Sequence, residues 1–167
     1  MKVVSFSDLA RDFRRQEGMV VEDAVAEIRR TVKLHGPRLV QEEIASISPP
    51  PVDRTIYRRS WKFEDIPHGA VIYNYSKHGA IIEEGRRPGA KAPPIAVIAD
   101  WVRRKKLVRG SGRAAEAEIR QAAFLIARAI KRRGLPARHV LQLASRRLEP
   151  IVRQALERRL GRAGAGE

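Results

Sequence analysis

The 167-residue chain has no cysteine. That excludes disulfides, thiolate nucleophiles and cysteine-based zinc sites together, and it fits a reducing cytoplasm. Long apolar runs are also missing. None approaches the roughly 18 residues that a membrane span needs. The stretch from Met1 to Asp8 lacks the apolar centre of a signal peptide. The expectation is therefore a soluble chain. Catalytic signatures are equally scarce. Gly85 to Lys91 holds glycine and arginine, but in neither of the orders that cradle nucleotide phosphates. A serine nucleophile elbow is absent. His35, His68, His78 and His139 are the four histidines, and no two share metal-ligand spacing. Glu42-Glu43 and Glu83-Glu84 are paired carboxylates, but sequence neighbours point to different faces of a helix or strand. His78 near Glu83 and Glu84 reads either as an acid–base pair of a small hydrolase or as polar surface around a turn, and the second reading is adopted. No catalytic residue, cofactor or metal is expected.

What the chain has in abundance is positive charge. It carries 34 Lys plus Arg against 19 Asp plus Glu, a formal +15, most of it arginine. Arginine favours forked contacts to phosphate or carboxylate. The balance calls for a polyanion nearby, either nucleic acid or acidic protein faces. At this length about two-thirds of the unfolded surface can be buried, so an independent core is available.

Periodicity organises the rest. Ser5 or Ser7 is a cap for a short helix that ends at Gly18. Val21, Ala24, Val25, Ile28 and Val32 recur at helical steps, and Leu39, Val40, Ile44 and Ile47 continue the stripe, with a kink or break expected at Gly36-Pro37. Ser48 to Pro51 is a stiff helix-to-sheet connector. Tyr57, Arg59, Trp61 and Phe63 alternate as a strand, Pro67-His68-Gly69 is a turn, and Ala70 to Tyr73 is a second strand. Tyr75 to Glu84 reads as a short helix or a bent strand, closed by Gly85. Arg86 to Pro94 is a long basic loop. Ile95, Ile98, Trp101 and Val102 resume helical spacing before Arg103-Arg104-Lys105-Lys106, which reads either as phosphate contacts or as a solvated helix end. Gly110-Ser111-Gly112 is a joint. A helix over 114–133 stops at Lys131-Arg132-Arg133-Gly134. A last apolar pattern runs from Leu141 to Leu160 with a kink or a new start at Pro150, and Gly161 to Glu167 should fray. Trp61 and Trp101 lie on apolar faces and read as core rather than as base-stacking platforms.

From Pro49 to about residue 160 the order of features resembles the minor tail or tail-completion proteins of lambdoid long-tailed phages. Arg59-Ser60 matches the family's strand start, although Ile56 replaces its usual glycine after Thr55. Tyr75 and Ala80, then Ile81-Ile82-Glu83-Glu84-Gly85, Arg86-Arg87-Pro88-Gly89, Pro93-Pro94 and Ile98-Ala99-Asp100-Trp101-Val102, follow the family's order. Lys131-Arg132-Arg133-Gly134-Leu135 and Val140-Leu141 complete it.

The resemblance implies a non-catalytic virion subunit in an oligomeric ring at the head–tail junction, assembled in the host cytoplasm. Its implied partners are copies of itself, head-completion or stopper proteins, and the tail terminator or tube, with non-specific contact to packaged DNA. The rival reading is a stand-alone, sequence-non-specific nucleic-acid-binding protein. The expected fold is α+β: a small antiparallel sheet packed against two helices, with helical N- and C-terminal extensions. The helices at 94–106 and 114–133 are expected to cover the sheet, with the Trp101 helix in its core. The expected segments are 1–48 helical, 49–134 sheet-and-helix core and 135–167 helical extension. Glu84, Arg86, Arg87, Pro88, Lys91, Pro93 and Pro94 are the expected partner contacts. Arg103, Arg104, Lys105 and Lys106 are the expected DNA-facing cations.

Overall fold

A computed structural model describes residues 3–5, 21–48 and 55–163, with side chains described over 21–48 and 55–159. The class is α+β. Contacts group the chain into two units, one of Met1–Glu83 with Arg138–Glu167 and one of Glu84–Ala137. The segment boundaries expected at 48 and 134 fall elsewhere than these.

The first unit is built on two long helices and a sheet. Helix α1 (Val21–Ser46) follows the apolar stripe, and Ala24, Val25, Ile28, Val32, Leu39, Val40 and Ile44 are buried. Glu22 and Asp23 in its first turn favour the positive end of its dipole. A helical turn α2 (Ile56–Arg59) leads into strand β2 (Trp61–Ile66), which pairs with β3 (Gly69–Asn74). A three-residue strand β1 (Val3–Ser5) pairs with β3 on its other side, giving an antiparallel sheet of order β1-β3-β2. Central β3 buries Ala70, Ile72 and Asn74. Helix α6 (Val140–Ala163) buries Val140, Leu141, Ala144, Leu148, Val152 and Leu156 in one core with α1 and the hairpin. Ile28, Ile44, Ile72, Leu141, Leu148 and Leu156 are fully enclosed there. Each contributes about 1.5–3 kcal/mol relative to exposure.

Polar ties reinforce this packing. Arg29 donates to the carbonyls of Ile66 at 2.6 Å and of Pro67 and Gly69 at 3.2 Å each, gripping the hairpin turn. Lys33 reaches Asp65 at 2.7 Å. Arg147 of α6 bridges Glu42 at 2.6 Å and Glu43 at 2.7 Å on α1.

The second unit holds helix α4 (Ile95–Arg104) and helix α5 (Gly112–Arg133), which share a small cluster of Ala99, Val102, Ile119 and Ala123. Short helix α3 (Gly79–Glu84) precedes it and ends at Gly85.

Several expectations are corrected by this arrangement. The helices that cover the sheet are α1 and α6, not those at 94–106 and 114–133, and Trp101 packs in the α4–α5 cluster rather than with the hairpin. The elements read as terminal extensions are thus the main cover of the sheet. The first hairpin strand starts at Trp61, because Tyr57 to Arg59 form a helical turn. Neither Gly36-Pro37 nor Pro150 interrupts its helix. Gly36 is instead a close-packing point, since a Cβ there would stand 2.7 Å from Phe63 Cε1. Of the short helix expected up to Gly18, Ser5 ends β1, and the rest lies outside the described residues. Helix α6 includes Gly161 and Ala163, and the residues beyond lie outside the description.

Candidate contact surface

The basic loop between Gly85 and Pro94 is held at both its base and its middle. Arg86 and Leu135 exchange backbone hydrogen bonds of 2.8 Å each, an isolated antiparallel bridge. Glycine is required on both sides. Gly85 (φ +70) and Gly134 (φ +74) lie in the left-handed region, and a Cβ on either would collide with the opposite backbone, at Leu135 and Arg86 respectively. Further along, Gly89 N–H donates to the Lys131 carbonyl at 2.8 Å, and Ala90 N–H closes a turn on Arg87. The Arg86 guanidinium donates to the Lys91 carbonyl. Arg86 therefore braces the loop from inside; it and Pro93 are half-buried, while Glu84, Arg87, Pro88, Lys91 and Pro94 are exposed. Pro94 then accepts from Val97 and Ile98 to start α4.

The basic run closes α4. Lys105 is the C-cap and Lys106 (φ 50) takes the left-handed position beyond it. Lys106 N–H donates to Arg103 at 3.0 Å and Leu107 N–H to Val102 at 3.2 Å, the paired bonds of a Schellman stop. Arg103 meets Asp100 at 2.7 Å and grips Glu116 of α5 through two nitrogens at 2.7 and 3.1 Å. Those bonds hold the Glu116 carboxyl below its usual range. Arg103 is thus occupied in joining α4 to α5. Arg104, Lys105 and Lys106 are exposed. Lys106 and Arg109 line an open groove of about 560 Å³ beside Gly110 to Gly112.

The two sets of expected site residues do not converge. The loop is bonded to α5 at Lys131 and the basic run at Glu116. Fifteen helical residues separate those points, about 22 Å at 1.5 Å each. Exposed Val97, Phe124 and Leu125 were not singled out by periodicity, because they fall outside the apolar stripes of their helices. Among the described residues no group of three or more histidines and carboxylates is placed to hold a metal ion.

Glu83, read as turn surface, is 4% exposed. Its carboxylate accepts from Tyr57 Oη at 2.8 Å and from Leu141 N–H at 3.1 and 3.0 Å. It therefore caps the N-terminus of α6 from a distant segment. Burial, with Glu83 beside it, pushes the Tyr57 hydroxyl well above its ordinary value. His78 is exposed before α3, and its carbonyl accepts from Ile82. One signal for Glu83 was in the sequence: Arg138-His139-Val140 opens a long helix without a Ser, Thr, Asp or Asn cap.

No family model, curated protein or solved structure matches the chain.

Proposed function

We propose that the chain is a structural subunit of a long-tailed bacteriophage virion, one copy of an oligomeric ring at the head–tail junction that joins head-completion proteins to the tail. It does so without catalysis. The observation that carries this reading is the Arg86–Leu135 bridge. Glu84-Gly85-Arg86 and Arg133-Gly134-Leu135 are two of the motifs on which the resemblance rests, and they lie some fifty residues apart in sequence. Paired through two glycines, they fix a proline-bearing loop with Arg87, Pro88 and Lys91 outward. A loop already ordered docks on a neighbour at a small entropic cost.

A second reading, a stand-alone nucleic-acid-binding protein, is favoured by the formal +15 charge. The experiment that separates the two is charge reversal on the loop. Arg87→Glu with Lys91→Glu lowers the assembled mass and leaves the melting temperature unchanged if the loop is a subunit contact. Unchanged assembly with weakened DNA binding supports the second reading.

A further inference from the structure

In the first unit, α1 and α6 border a groove of about 310 Å³ lined by Glu27, Arg30, Thr31, Leu34, His35, Ile151, Ala155, Arg158 and Arg159. We infer that this groove is a binding site for a phosphate group, with Arg30 and Arg158 as the recognising pair. The inference does not rest on the virion reading and holds for a ring subunit or a lone protein.

Several arginines of the described chain are committed to acids. Arg38 is paired with Glu42, Arg103 with Asp100 and Glu116, Arg147 with Glu42 and Glu43, and Arg159 with Asp23 at 3.2 Å. Among the described residues, Arg30 and Arg158 form no ion pair, yet they line the same groove. Arg158 donates through Nε to the Gln154 carbonyl of its own helix at 3.3 Å, which steadies its arm at the groove. Glu27 is the single carboxylate of the lining, against Arg30, Arg158 and Arg159. Two guanidiniums around one opening suit an oxyanion with several acceptor oxygens, to which each presents a planar fork.

The lining as a whole is mainly polar, with a small apolar part. Ile151, Ala155 and Leu34, the last 66% exposed, provide a wall for the face of a sugar. The volume lies at the small end of ligand clefts, enough for one sugar–phosphate unit and too little for a duplex to enter. The phosphate belongs either to a nucleic-acid strand laid across the groove or to a free phosphate compound. The chemistry at the arginines is the same in both.

Fluorescence anisotropy with the full-length chain and a short labelled single strand tests the site. The double variant Arg30→Gln, Arg158→Gln is compared with Arg128→Gln, Arg132→Gln, which removes the same charge from exposed positions of α5. The groove variant is expected to bind about tenfold more weakly, with the salt slope flattened by roughly 1.4, two phosphates at about 0.7 each. The α5 variant is expected to lose less than about threefold. Melting temperatures of both stay at the wild-type value, since the four side chains are exposed. If inorganic phosphate stabilises the wild type but not the groove variant while strand binding is equal in both, the site is a phosphate site with a free source. Equal losses in the two double variants, with no phosphate effect, overturn the inference in favour of diffuse charge. A polyglutamate peptide bound as tightly as the strand, and lost with the groove arginines, overturns it in favour of a carboxylate partner.

Discussion

Glu83 shows how much a single side chain decides in this chain. A carboxylate buried to 4% exposure is stabilised by donation from Tyr57 Oη and the Leu141 N–H. Glu83→Gln keeps the shape but removes the charge that faces the helix dipole. Its expected cost is about 1–2 kcal/mol, read by urea denaturation, with m unchanged. At Lys106 the prediction runs the other way. A lysine sits at φ 50, where the left-handed region costs a side chain about 1–2 kcal/mol and glycine nothing. Lys106→Gly is expected to stabilise the protein by about 0.5–1 kcal/mol after glycine's extra unfolded-state entropy, measured by the same titration. The sequence showed that the helix after Arg138 lacks a Ser, Thr, Asp or Asn cap, but not that Glu83 supplies it, and the stop at Lys106 was not legible at all. Glu83 receives its partners from residues 26 and 58 positions away, which no local pattern encodes. The left-handed stop at Lys106 carries none of the glycine that marks such stops elsewhere in the chain, as at Gly134.

Elements were legible where their apolar period was long. The stripe from Val21 to Ile44 and that from Leu141 to Leu156 became α1 and α6, and Ala70 to Tyr73 became β3. The strand start was misplaced because Tyr57 and Trp61 are both buried, and a spacing of four fits alternation as well as it fits a helical turn. Their rings in fact meet edge to face, 5.5 Å between centroids. Gly36-Pro37 misled for a different reason. The pair resembles a breaker, but Pro37 faces solvent and Gly36 admits Phe63 against the helix. Gly36→Val is therefore expected to destabilise by about 1–3 kcal/mol through overpacking, although valine is the better helix former. A thermal melt checks it. Between α1 and α6, Glu42 is held below its ordinary pKa of 4.5 by hydrogen bonds from Arg38 and then Arg147, and in the second unit Arg103 does the same for Glu116. A lowered folded pKa gives stability that is present above pH 4.5 and lost as pH falls through the folded values. The melting temperature is expected to decline from about pH 4.5 downward, with a shallower decline in Arg147→Gln.

At the scale of the whole molecule, the α+β class followed from switching periods, whereas the pairing of elements did not. Choosing which helices cover a sheet is a long-range decision, and here the sheet lies against elements near the two ends of the chain, α1 and α6. The middle segment, Glu84–Ala137, instead closes on itself through the Arg86–Leu135 bridge and the α4–α5 cluster. Of the expected contact residues, Arg86 and Arg103 turned out to brace this segment, while Arg87, Pro88 and Lys91 face outward. That those two arginines are engaged within the segment could not be read from a basic run. The proposal of a ring subunit rests on the outward set. Its most direct test is the solution mass of the purified chain by light scattering, at low and high salt, with and without short duplex DNA. The expected result is a closed oligomer, an integer multiple of 18.8 kDa, whose mass is insensitive to DNA. A monomer that binds duplex tightly and releases it steeply with salt would contradict the ring and leave the nucleic-acid-binding reading in its place.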